Sequence, residues 1–149
     1  MPKIYLVAEH TGLQLKKYIL QNASKFDLEI IDLYDVFDSD DDYPTVAEIL
    51  AKKIKTEPDS FGIAICGSGQ GICMALNRFS HIRAANTSGM VETAKVRNDD
   101  DANVICLSGK CLDSTVVLDL VQTFVKTPFA GVPRYQRRVD QLRDMGAKL

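Results

Sequence analysis

The sequence predicts an α/β protein, one parallel sheet covered by helices on both faces. Three observations predict it. Five apolar segments of strand length alternate with segments of helical periodicity along the 149 residues. The strand segments are continuous apolar runs, the pattern of strands buried on both sides. The order is strand–helix throughout, which in one chain implies parallel strands joined by crossover helices. No repeat, low-complexity tract or interdomain linker interrupts it, so 1–149 reads as a single domain.

The elements follow in order. KIYLVA (3–8) is the first strand, and TGLQLKKYILQNAS (11–24) carries Leu13, Leu15, Tyr18 and Ile19 at helical spacing. LEIIDLY (28–34) is the second strand, followed by an acidic loop, DVFDSDDD (35–42). YPTVAEILAKKIKT (43–56) restarts as a helix with Pro44 in its first turn, where the missing N–H costs nothing. SFGIAIC (60–66) is the third strand and GICMALNRFS (71–80) a short helix. IRAAN (82–86), the helix MVETAKVRN (90–98) and ANVICLSG (102–109) complete the strands. Asp113 is the expected N-cap of a long helix over 114–127, which Pro128 stops. The basic, amphipathic 132–149 is a last helix.

Composition bounds the function. Net charge is -2, and no basic face points to nucleic acid or a membrane surface. No apolar run approaches the roughly 20 residues of a membrane helix, and the first residues form a strand rather than a signal peptide. Four cysteines without a C-x-x-C, beside only two histidines, argue against zinc and for reduced thiols in the cytoplasm.

In parallel sheets, ligands sit outside the carboxyl ends of the strands. The third strand ends in ICGSGQG (65–71). Glycines here let backbone N–H groups approach an anionic oxygen, and the same environment favours the thiolate of a cysteine. Cys66 is thereby a candidate base or nucleophile, and Ser68 a candidate donor to an oxyanion. The residues alone leave a second reading open, a buried small thiol beside a tight turn. Glu9 and His10 end the first strand and could relay protons or bind phosphate; a helix cap with a solvated histidine serves equally. Cys73 and Cys106 read as core, Cys111 has no assigned role, and His81 lies at the wrong end of the sheet. Arg134 and Arg138, four apart, share a helix face and could grip a phosphate; a solvated or ion-paired face is the bland alternative.

Taken together, Glu9-His10, DDYP (41–44), ICGSGQG (65–71), IRAA (82–85), DANVICLSGK (101–110) and RYQRRV (134–139) resemble, in order and spacing, the type B ribose-5-phosphate isomerases and the galactose-6-phosphate isomerase subunits. The resemblance spans essentially the whole chain. It implies a Rossmann-like three-layer α/β/α sandwich with a five-stranded parallel sheet and an extra C-terminal helix. It implies an aldose–ketose isomerase of a sugar phosphate needing no metal or cofactor, a homodimer or homotetramer with its active site between chains. Cys66 resembles the base that moves a proton between C1 and C2 through an enediolate. Ser68 and the N–H groups of Gly67, Gly69 and Gly71 resemble the groups that stabilise that intermediate. His10, Arg134 and Arg138 resemble phosphate ligands, the arginines coming from the partner. Tyr43 resembles a residue lining the sugar pocket.

Three positions depart from the family pattern. Glu9 stands where aspartate is frequent. Asp99 and Asp100 stand where His-Asn is typical, the histidine being a ring-opening group. Lys110 replaces an arginine, a point charge for a fork. Glu9 and Asp99 are thus expected in catalysis, and Asp100 and Lys110 in substrate binding. The two aspartates point to an aldose phosphate other than ribose 5-phosphate, such as a hexose or tetrose phosphate. The alternative function is a non-catalytic phosphosugar-binding regulator or a partner subunit of a hetero-oligomeric isomerase. A nucleotide-binding module is a third reading, weakened by the missing glycine fingerprint after the first strand.

Overall fold

A computed structural model describes residues 1–146. The strands are β1 (Ile4–Ala8), β2 (Ile30–Asp32), β3 (Phe61–Cys66), β4 (Ala84–Asn86) and β5 (Val104–Ser108). The helices are α1 (Leu13–Asn22), α2 (Tyr43–Thr56), α3 (Gln70–Leu76), α4 (Met90–Asp100), α5 (Ser114–Lys126) and α6 (Pro133–Met145). All strand pairs are parallel, in the order β2-β1-β3-β5-β4.

That order explains the two covered faces. Connections running one way along the sheet place α2 and α3 on one face, with Val46, Leu50, Ile54, Ile72 and Leu76 packed against Tyr5, Val7, Ala64 and Cys106. Connections running back place α1 and α4 on the other, beside α5, where Leu15, Ile19, Val121 and Phe124 cover Leu6, Ile63 and Leu107. A single crossover hand requires this division. The central strands are buried on both sides, as their unbroken apolar runs predict.

The boundaries differ from the sequence reading where polar groups intervene. The Glu9 carboxylate accepts from the Thr11 N–H, so the chain makes a 3-10 turn over His10–Gly12 before α1 begins. A second 3-10 turn, Ala23–Phe26, follows α1 and ends at Asp27, whose φ of 56° is left-handed. The edge strands are short, three residues each instead of seven and five, because each has one hydrogen-bonding neighbour. α3 stops at Leu76 because the Asn77 side chain takes the C=O and N–H of Ala84, both at 2.8 Å. Asp113 caps α5 as expected, accepting from the Thr115 N–H. The last residues of the expected C-terminal helix, 147–149, lie outside the described residues.

The sheet also fixes where chemistry can occur. β1 leads to β2 on one side and has β3 on the other. The crevice at their carboxyl ends is a topological switch point, where parallel sheets bind ligands. Glu9, His10 and Cys66 end these two strands.

Candidate active site

Three loops meet at the crevice, and their contacts are largely backbone. The Gly109 N–H donates to the Cys66 carbonyl at 2.8 Å and the Lys110 N–H to the Gly67 carbonyl at 3.0 Å. The Ser108 hydroxyl adds a 2.7 Å bond to the Gly67 carbonyl. A Cβ on Gly109 would lie 2.8 Å from both Gly12 Cα and Thr11 O, so only glycine permits this approach of the β1 and β5 loops.

Within that frame Cys66 is nearly enclosed, 5 % exposed. Its Sγ accepts from the Gly69 N–H at 3.2 Å. Gly69 itself holds φ at 75°, a left-handed turn that brings the N–H back toward the sulfur. Ser68 is exposed; its Oγ accepts from the Gln70 N–H at 3.2 Å, which leaves the hydroxyl proton free to donate outward. The aliphatic stem of the exposed Lys110 lies over Gly67, with Cδ 3.6 Å from where a Cβ would stand. The Tyr43 ring lies on Gly71, whose added Cβ would sit 2.8 Å from Cζ.

The imidazole is held by two carboxylates. His10 Nδ1 lies 2.6 Å from Asp41 Oδ1 and 3.1 Å from Glu9 Oε2, and the His10 N–H donates to the same Asp41 oxygen at 3.0 Å. Both carboxylates are buried while the ring is one-third exposed. The hydrogen bond to Asp41 raises the His10 pKa above the usual imidazole value, against partial desolvation and with the Glu9 charge adding to it. The ring is thus open to solvent on one side, with the two carboxylates behind it. Tyr34 also packs against Asp41, and burial followed by the Asp41 charge raises its phenol.

Glu9, His10 and Asp41 are the one group of donors close enough to share a metal ion among the described residues. Their lone pairs are already engaged. His10 Nδ1 lies between both carboxylates, and Glu9 Oε1 accepts from Thr11 N–H and Oγ1. The set is a hydrogen-bonded cluster centred on His10 Nδ1.

One chain brings together Glu9, His10, Tyr43, Cys66, Gly67, Ser68, Gly69, Gly71 and Lys110. It does not bring Asp99, Asp100, Arg134 or Arg138 to them. Asp99 and Asp100 end α4, just before β5 begins, and so lie at the amino end of the sheet. Arg138, on α6, lies close enough to Asp100 for its charge to oppose the rise that burial and Asp99 cause in that carboxyl. Arg134 stacks on Tyr135, 4.5 Å from the ring centre, and both arginines are exposed. Neither makes a carboxylate contact within 4 Å among the described residues.

The sequence assigned no role to three contributors, Asp41 as the partner of His10, Thr11 under Glu9, and Asn86 beside the glycine loop. Asn86 ends β4 and Asp41 lies in the acidic loop after β2, both at or after a strand end. Five aspartates share the acidic loop, and nothing local marks the one that reaches His10.

This geometry defines an α/β protein of the doubly wound kind, with a thiol, a free hydroxyl and a carboxylate-paired imidazole gathered at the switch point. Comparison with known proteins narrows the class. The model of the Ribose/Galactose Isomerase family matches residues 4–142. The "Probable ribose-5-phosphate isomerase B" of Mycoplasma genitalium is 38% identical over 141 residues, 93% of this chain and 92% of that protein. A crystal structure of ribose-5-phosphate isomerase B from that organism, with bound ribulose-5-phosphate, superposes with a TM-score of 0.89 at 36% identity, covering 99% of this chain and 97% of the other. Ribose-5-phosphate isomerase B of Clostridium thermocellum gives 0.90 at 32% identity, over 98% of both chains. This chain belongs to the ribose/galactose isomerase family.

Proposed function

We propose that this chain is an aldose–ketose isomerase that interconverts a phosphorylated aldose and its ketose, ribose 5-phosphate and ribulose 5-phosphate or a closely related pair. The observation that carries the assignment to particular residues is the Gly69 N–H donating to Cys66 Sγ beside the free Ser68 hydroxyl. Family membership and the relatives' names support the reaction class.

In this reading the Cys66 thiolate removes the C2 proton of the open-chain aldose. The electron pair moves into an enediolate, whose oxygen takes a hydrogen bond from Ser68. The O2 hydroxyl proton then passes to O1, C2=O forms, and the proton held by Cys66 returns to C1 to complete the ketose. His10 holds the phosphate, and Lys110 adds a mobile positive charge at the mouth. Glu9 and Asp41 keep His10 oriented and protonated, so that Glu9 acts behind the imidazole. The bound phosphate supplies binding energy away from the reacting carbons. Tyr43 on Gly71 forms one wall of the sugar pocket.

Arg134, Arg138, Asp99 and Asp100 enter this scheme through a second copy of the chain. The place of Asp99 and Asp100 at the amino end of the sheet, with Arg138 near Asp100, supports a homodimer or homotetramer with a shared site, as do the exposed apolar side chains Tyr43, Met74, Met90 and Val91. Asp99 would then stand near the ring oxygen as an acid or base, with Asp100 beside it.

The test is deuterium incorporation at C2 when the protein is incubated with ribose 5-phosphate, a hexose 6-phosphate and a tetrose 4-phosphate in heavy water. Exchange with at least one supports the isomerase, and the fastest substrate names the sugar. Phosphosugar binding without exchange on any would instead support the regulatory reading.

A further inference from the structure

The Ser68–Gly69 peptide unit is held at both of its polar ends. Its carbonyl accepts from the Asn86 side-chain amide at 3.2 Å, and its N–H donates to Cys66 Sγ at 3.2 Å. The described peptide bonds are all trans. A trans peptide is planar, with C=O and N–H pointing in opposite directions, so fixing the oxygen fixes the N–H. Asn86 also fills the space beside the turn. A Cβ on Gly69 would lie 3.0 Å from Asn86 Nδ2 and 3.1 Å from Oδ1. Because the Ser68 carbonyl only accepts, the amide must present its NH2 to it.

The placement follows from the sheet. Along β4, Ala84 packs with the Cys66 face and Ala85 with the opposite face, so Asn86 returns to the Cys66 side. Asn86 pairs in register with Cys106, two residues short of the Ser108–Cys66 pair. It therefore reaches along the sheet toward the glycine loop. β4 does not need this contact for attachment, since Asn77 already ties Ala84 through two hydrogen bonds.

We propose that Asn86 is a positioning residue for the Cys66 thiol: from the end of the edge strand it clamps the Ser68 carbonyl and so aims the Gly69 N–H at the sulfur. It deepens the assignment of Cys66 as base and rests on that reading. A thiolate gains more from a well-aligned N–H than a thiol does, so loss of the clamp is read in the pH dependence of Cys66 reactivity.

The experiment follows the rate of Cys66 alkylation by iodoacetamide against pH on the full chain, read by mass on the Cys66 peptide. The midpoint of that profile separates thiolate formation from access. Asn86→Ala should move it upward by about half to one pH unit and slow alkylation at pH 7 by about three- to tenfold. Asn86→Asp should move it at least as far, having lost the donor and gained a like charge. Asn77→Ala loosens β4 without touching the peptide plane; it should lower Tm and leave the midpoint unchanged. In the unmodified protein, the Gly69 amide proton resonance should shift over the pH range in which Cys66 becomes reactive. Parental midpoints in folded Asn86→Ala and Asn86→Asp, or a Gly69 resonance that ignores Cys66 titration, overturn the proposal. Deuterium exchange separates it from the base assignment. If Cys66→Ala keeps full exchange, the base reading fails; if Cys66→Ala loses exchange while the Asn86 variants keep the parental midpoint, only the clamp fails.

Discussion

His10 Nδ1 lies 2.6 Å from Asp41 Oδ1, joining the turn after β1 to the acidic loop after β2 across 31 residues of sequence. Adjacent parallel strands end side by side, so the acidic loop after β2 falls next to the residue that ends β1. The contact raises the pKa of the imidazole at the mouth of the site.

The pH dependence follows from the direction of the shift. A His10 pKa raised in the folded protein means the charged pair is complete below the ordinary imidazole value of 6.5 and is lost as pH rises through the raised value. Inorganic phosphate should bind well at pH below 6.5 and weaken as pH rises through the raised value. Asp41→Asn should move that midpoint downward and weaken phosphate binding at pH 7.5 by about three- to tenfold, measured by competition against turnover. An unchanged midpoint would remove His10 from the phosphate site.

Cys66→Ala should abolish deuterium exchange at C2 by at least about 10²-fold, while phosphate affinity stays near that of the parent. The expected split is a loss in kcat with little change in KM.

Arg134→Ala and Arg138→Ala should raise KM and weaken phosphate inhibition with smaller effects on kcat. Mixing Cys66→Ala with Arg138→Ala protein should restore activity, because a shared site leaves some sites with neither change. Absence of rescue would place the arginines outside the active site.

Two glycine substitutions separate backbone contact from side-chain contact. Gly109→Ala meets main-chain atoms of Gly12 and Thr11 at 2.8 Å and should destabilise by about 2 kcal/mol or more. Gly71→Ala meets only the Tyr43 ring, which is 42% exposed and can swing outward, so stability should change little while KM rises. Thermal unfolding and steady-state kinetics check both.

At the opposite end of the sheet, Glu57 accepts from Lys53, Tyr5 and Lys3, which hold its carboxyl down to about 2. A depressed carboxylate stabilises the fold above its ordinary value of 4.5 and loses that effect as pH falls through about 2. Glu57→Gln should therefore lower Tm at neutral pH, and the gap from the parent should close in acid.

What could be read in the sequence was local. Continuous apolar runs identified β1, β3 and β5, and helical spacing placed α2 and α5 to within a residue of their observed ends. The edge strands were overextended because apolar pattern cannot register that a strand has only one neighbour. Cys66, Ser68, Glu9 and His10 were legible as strand-end residues beside glycines.

The sequence by itself determined the fold class and the family, because periodicity and motif order are properties of the linear chain. Only the tertiary structure decided which of five aspartates meets His10, that Asn86 reaches the Ser68–Gly69 peptide, and that Asp99, Asp100 and Arg138 sit at the far end of the sheet from Cys66. These depend on strand order, which brings residues 31 and 41 positions apart within hydrogen-bonding distance. Hydrogen bonds need donor and acceptor within about 3 Å, a condition set by the packed sheet and by nothing in the spacing along the chain.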